Sequence, residues 1–183
     1  MRALAALAAL LLAGQSHATP RATPPRSTRV TVEVFVVALA AGDAAQVVFT
    51  RREGRLEGGA NPDVRARDLA TGETELILLN HSTSWRWETD GRIVLTYLVW
   101  ASAGSLRAAA RPLPSLQPPA PTDPLRPRRA QIRESDVLAH GLRHLAFLLA
   151  VDRDGAVADA LGPRAAAALA KLAPDVAGEL RPH

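Results

Sequence analysis

The sequence predicts an α+β or α/β domain: a mixed central sheet of about five strands over residues 29–100, covered by carboxy-terminal helices. Three observations carry this reading. Arg29 to Ala40 is dense in β-branched residues and reads as a long strand. Asp90-Gly91 sits between two apolar runs, a two-residue hairpin signal. After a proline-rich interval, Leu138, Leu142, Leu145 and Leu149 recur at helical spacing.

The chain has 183 residues, 48% apolar and 22% charged, enough to bury a core and too apolar for wholesale disorder. It has no cysteine, which removes disulfides, thiolate nucleophiles and thiolate metal sites. The net charge is +4, and all but Lys171 of the 22 basic residues are arginine. With 18 acids against them, this balance reads as compositional bias rather than a nucleic-acid footprint. No run of about 18 apolar residues marks a membrane span.

Arg2 followed by the small apolar stretch Ala3 to Gly14, with Ser16 and Ala18 spaced as signal peptidase prefers, predicts export with cleavage after Ala18. The mature chain is then periplasmic or secreted. An alanine- and leucine-rich stretch upstream of the true start would imitate such a leader and leave the chain cytoplasmic. Residues 19–28 read as a flexible leader, 29–100 as the β-rich core, 101–131 as a Pro/Arg-rich connector, and 132–183 as a helical segment packed on the core.

Within the core, Val30, Val32, Val34 and Val36 share one strand face, with Thr31, Glu33, Phe35 and Val37 on the other. Ala45 to Arg51 reads as a second strand, and Arg51 to Asp63 as a glycine-containing loop. Pro62 opens a short helix, Asp63 to Ala70, ended by Gly72. Glu73 to Asn80 and Ser84 to Glu88 read as strands, with Arg92 to Trp100 beyond the hairpin. A two-residue Asp90-Gly91 loop predicts Trp87 opposite Val94 and Trp85 opposite Thr96, on the face of Leu98 and Trp100. Seven of the 14 prolines fall between Pro112 and Pro127, and Arg126, Arg128 and Arg129 form the densest basic cluster there. No aromatic interleaves with these arginines, so single-strand nucleic-acid binding is not expected. Ser135 or Asp136 caps a helix to Val151, Pro163 starts a second over Arg164 to Leu172, and Asp175 to Leu180 adds a last turn.

Two sets of residues invite a chemical reading. His140 and His144 are i, i+4 on the leucine-striped helix, a spacing that lets two imidazoles share a metal. Gly141, Leu142 and Arg143 lie between them with no acidic ligand, so the pair reads as helix-edge histidines, and no bound metal is expected. His81-Ser82-Thr83-Ser84 holds a serine and a histidine without a glycine-flanked nucleophile elbow, and reads as a strand-edge or turn segment.

The order strand, strand, Gly58-Gly59, Arg67-Asp68-Leu69, Glu73, then ILLNHSTSWRWETDGRIVLTYLVW resembles a Nudix-hydrolase domain over residues 29–100. The resemblance implies that Arg67, Asp68 and Glu73 lie toward a ligand site, and Arg86 joins them as a cationic candidate. The positions of that family's magnesium-binding glutamate pair are Thr71 and Gly72 here. The implied domain therefore binds a small anionic ligand or a protein partner without catalysis or cofactor. Magnesium enters only if Asp68, Glu73 and Glu75 form a divergent diphosphate-hydrolase site. The other expectation is an exported interaction or structural protein.

Overall fold

The computed structural model describes residues 28–42, 46–106, 110–113 and 132–180. The expected signal sequence, nearly all of the leader and most of the connector, including Arg126, Arg128 and Arg129, lie outside the described residues. Six strands form one mixed sheet: β1 (Arg29–Leu39), β2 (Val47–Arg55), β3 (Ile77–Trp87), β4 (Arg92–Ala101), β5 (Arg111–Pro112) and β6 (Gly178–Glu179). Their order across the sheet is β5-β2-β1-β4-β3-β6. β1 is antiparallel to β2 and parallel to β4, and β3 is antiparallel to β4. A strand apolar on both faces needs cover on both, and β1 is buried without a break from Thr31 to Leu39.

The cover comes from two directions. Helix α1 (Pro62–Thr71) joins β2 to β3, started by Asn61, whose side chain accepts from the amides of Asp63 and Val64. Its small Ala66 and Ala70 pack on Val32, Val34, Val36, Tyr97 and Val99. On the other face lie α2 (Glu134–Val151), α3 (Ala156–Leu161) and α4 (Pro163–Leu169). Leu138, Leu142 and Leu145 of α2 share one buried cluster with Phe35, Val37, Leu98 and Trp100, so the leucine stripe finds the sheet as its spacing predicts. The α+β class holds.

Several details differ from the sequence reading. β2 continues to Arg55 through what reads as loop, because residues 51–55 pair with β1 along the whole ladder. β3 is one strand rather than two, so His81 to Ser84 lies in mid-strand. A bulge between Ser82 and Ser84 inserts Thr83, fully buried against Gly141 of α2, and hides the strand's alternation. The hairpin loop has three residues: Glu88 N–H bonds Arg92 O, Gly91 N–H bonds Glu88 O, and Gly91 takes φ +78°. Trp87 therefore pairs with Ile93 and Trp85 with Leu95, where the two-residue loop predicts Val94 and Thr96. That one-residue slip moves both tryptophans to the α1 face, away from Leu98 and Trp100.

Arg111–Pro112, inside the expected connector, pairs with Val48 and Phe49 as an edge strand, a position that tolerates proline. Residues 156–161 form a helix that the sequence reading lacks, and α4 ends at Leu169 rather than Leu172. α2 starts earlier than expected, with Arg133 as its N-cap and the Asp136 carboxylate accepting from the Arg133 amide. Asp175 to Leu180 is extended rather than helical, and β6 pairs in parallel with Ser84 and Trp85.

Candidate functional site

The hairpin end of the sheet carries different chemistry on its two faces. On the side shared with α2, Glu33 stands in a run of valines and is 1% exposed. A carboxylate there must find donors, and it finds four. Arg51 Nε donates to its Oε1 at 2.7 Å, while Arg86 donates from Nη1 to Oε2 at 2.7 Å and from Nη2 to Oε1 at 3.2 Å. Thr96 Oγ1 donates to Oε2 at 3.1 Å. Burial alone would raise the Glu33 pKa. The hydrogen bonds and charge of Arg86, then of Arg51, outweigh it and hold the carboxyl below its ordinary range.

The network runs outward from Glu33. Arg86 Nε reaches Glu88 at 2.8 Å, Arg51 reaches Glu53 at 2.9 Å, and Arg92 ties Glu53 at 2.5 Å to Asp90 at 2.9 Å. Arg86 thus uses Nε, Nη1 and Nη2 on protein acceptors. Four guanidiniums, of Arg29, Arg51, Arg86 and Arg92, here face the four carboxylates of Glu33, Glu53, Glu88 and Asp90, so this patch lacks the cationic excess that an anionic ligand would need.

On the α1 side of the same end, two cross-strand rows are apolar. Val30, Ile93 and Trp87 form the outer row; Val32, Leu95 and Trp85 form the inner one. α1 reaches only part of this face, leaving Trp87 54% exposed and Trp85, Leu95, Ile93 and Val30 half-buried.

The ligand-site candidates Arg67, Asp68, Glu73 and Arg86 are divided between the two faces of the sheet. Arg67 and Asp68 are exposed on α1, and Glu73 is buried beyond its end in an ion pair with Arg52 of β2. Arg86 points to the opposite face of the sheet, into the Glu33 network. Thr71 and Gly72 close α1, and Glu75 is exposed. His140 and His144 both turn their Nδ1 atoms to Asp175. Among the described residues, no group of three or more His, Cys, Asp or Glu side chains could hold a metal ion.

The sequence reading misses Glu33, Arg51 and Thr96. The lone glutamate in VTVEVFVV was the available signal, since a charge inside a central strand requires buried partners. No protein-family model matches the chain, and no curated protein matches it. The fold and the hairpin end define an α+β domain with an ion-paired core on one sheet face and an aromatic patch on the other.

Proposed function

We propose that this chain is a non-catalytic, partner-binding domain on a Nudix-like scaffold, and that it docks a protein partner on the α1 side of its hairpin end. The observation that carries this is the exposure of Trp87 beside half-buried Trp85, Ile93 and Leu95. Tryptophan set among packed apolar neighbours is the residue type most enriched where partners bind tightly. The use of Glu73 on Arg52, and of Arg86 on Glu33 across the sheet, also supports binding over hydrolysis, because metal chemistry needs its carboxylates free for the ion. The Glu33 network suits the supporting role, stiffening the strands that present the tryptophans. Export, read from Arg2, Ala3 to Gly14 and Ala18, would place that partner outside the cytoplasm.

The test compares captured partners from source-cell extract for the wild type, Trp87→Ala, and the α1 double variant Arg67→Ala/Asp68→Ala. The reading expects binding to fall at least about tenfold in Trp87→Ala and to persist in the double variant. Magnesium-dependent hydrolysis of nucleoside diphosphates by the wild type, lost in Asp68→Ala or Glu73→Gln, would overturn it.

A further inference from the structure

All three histidines of the described residues meet in one place, although they come from two elements far apart in sequence. His81 of β3 stacks on His144 of α2 with ring centroids 5.2 Å apart and an interplanar angle of 21°. Phe147, one turn along α2, also stacks on His144, with ring centroids 5.9 Å apart. His144 Nδ1 lies 3.2 Å from the Asp175 carbonyl oxygen, and His140 Nδ1 lies 3.3 Å from the Asp175 carboxylate. Arg143 binds the same carboxylate at 3.0 Å and the Ala173 carbonyl at 3.1 Å, while the Asp175 amide donates to Arg143 O. One residue of the carboxy-terminal segment is thus gripped by three side chains of α2. From there the segment runs to β6, whose ladder with Ser84 and Trp85 is extended by a 2.7 Å bond from Leu180 N–H to Trp85 O.

The tautomers follow from these partners. Carbonyl and carboxylate oxygens only accept, so Nδ1 carries the hydrogen on both His140 and His144, and in the neutral ring of His144 the lone pair sits on Nε2. Both Nε2 atoms are buried and have no hydrogen-bond partner. A second proton on His144 must therefore sit on a buried nitrogen with no acceptor, against another imidazole. The ring satisfies that proton only by turning toward water, which breaks its bond to Asp175.

We propose that the histidine cluster is an acid-operated latch: neutral imidazoles hold residues 173–180 on α2 and β3, and proton uptake by His144 and His81 frees that segment and uncovers the Ser84–Trp85 edge of β3. The latch does not rest on the proposed partner surface, although Trp85 belongs to both. The titratable and charged groups facing the latch are His140 and Arg143 of α2, Asp175 of the carboxy-terminal segment, and Asp63 of α1. For His81, burial and then His144 depress the pKa, and the charge of Asp63 opposes them. For His144, burial depresses it most; the bond to Asp175 opposes, His140 adds to the depression, and the Asp175 charge opposes again. Both groups end below their ordinary 6.5. A released segment whose histidines regain that value binds more protons than the latched one. The latch is therefore fully set above 6.5 and weakens as pH falls below it.

The test is amide exchange by NMR on the full chain, from about pH 7.5 to about pH 5, with rates corrected for intrinsic exchange. Protection of the Leu180 amide should fall about tenfold per pH unit for each proton taken up, while amides of Val34 and Val36 keep theirs. In His81→Phe/His144→Asn, where asparagine keeps a donor near the Nδ1 position and neither residue titrates, the fall at Leu180 should drop below about threefold. On the wild type alone, the fall should start near 6.5 and run down toward the pH at which the His144 ring titrates in the latched chain. A pH-invariant Leu180, a fall that survives in the double variant, or a fall confined to pH values below the His144 titration would each overturn the latch.

Discussion

Replacing Glu33 by leucine tests whether the charge network holds the hairpin end together. The substitution removes an acceptor of four side-chain hydrogen bonds and leaves Arg86, whose side chain is 10% exposed, without its main counter-ion. Breaking one side of a buried ion pair costs about 3–5 kcal/mol. Two features place the expected loss near the lower end. Arg51 is about one-third exposed and keeps Glu53, and Arg86 keeps Glu88. A loss of about 3 kcal/mol corresponds to roughly 6–12 °C in Tm for a chain of this size. Urea denaturation followed by tryptophan fluorescence reads it as a lower midpoint at unchanged slope.

Acid supplies an independent check. Because the folded pKa of Glu33 lies below its ordinary 4.5, its contribution is fully present above that value and is lost as pH falls through the folded pKa. The gap between wild type and Glu33→Leu should therefore narrow in acid. The double variant Glu33→Leu/Arg86→Met should recover most of the loss, since an apolar pair of similar volume replaces a buried ion pair at little cost. A single-variant loss under about 1 kcal/mol, or a gap that stays constant into acid, would refute the reasoning.

Other substitutions probe packing and processing. Gly141→Ala places a methyl 3.4 Å from Thr83 Oγ1 and 3.5 Å from Leu98 Cδ1, which is ordinary contact. It should raise stability by up to about 1 kcal/mol through helix propensity, whereas Gly141→Leu should lower it by about 1–3 kcal/mol by overpacking. Thermal melts distinguish the signs. Leu142→Ala, at a fully buried position under α2, should cost about 2–5 kcal/mol, whereas half-exposed Trp87→Ala should cost under about 1 kcal/mol in the same denaturation assay. If export is right, mass spectrometry of the protein from its source should find a mature chain beginning at Thr19, and an intact Met1 would exclude cleavage after Ala18.

Patterns of neighbouring residues determined much of this protein without help from the fold. β-branched density marks β1, Pro62 with Gly72 brackets α1, and the leucine spacing of α2 identifies the face that must be buried. Each depends on periodicity or capping within a few residues, which the sequence displays directly. The hairpin shows where such patterns stop. Asp90-Gly91 announces a turn, but the hydrogen bond between Glu88 and Arg92 makes the loop three residues long, and that single residue decides which face receives Trp85 and Trp87. Likewise, the lone Glu33 signals a buried partner without saying which arginine supplies it. Arg86 is 53 residues away, and only the parallel pairing of β1 with β4 and the antiparallel pairing of β4 with β3 set them side by side. Asp175 joins His140 and His144 across more than thirty residues for the same reason. Local propensity names the elements; register and strand order, fixed by what the whole sheet can bury and pair, choose the neighbours on which the chemistry depends.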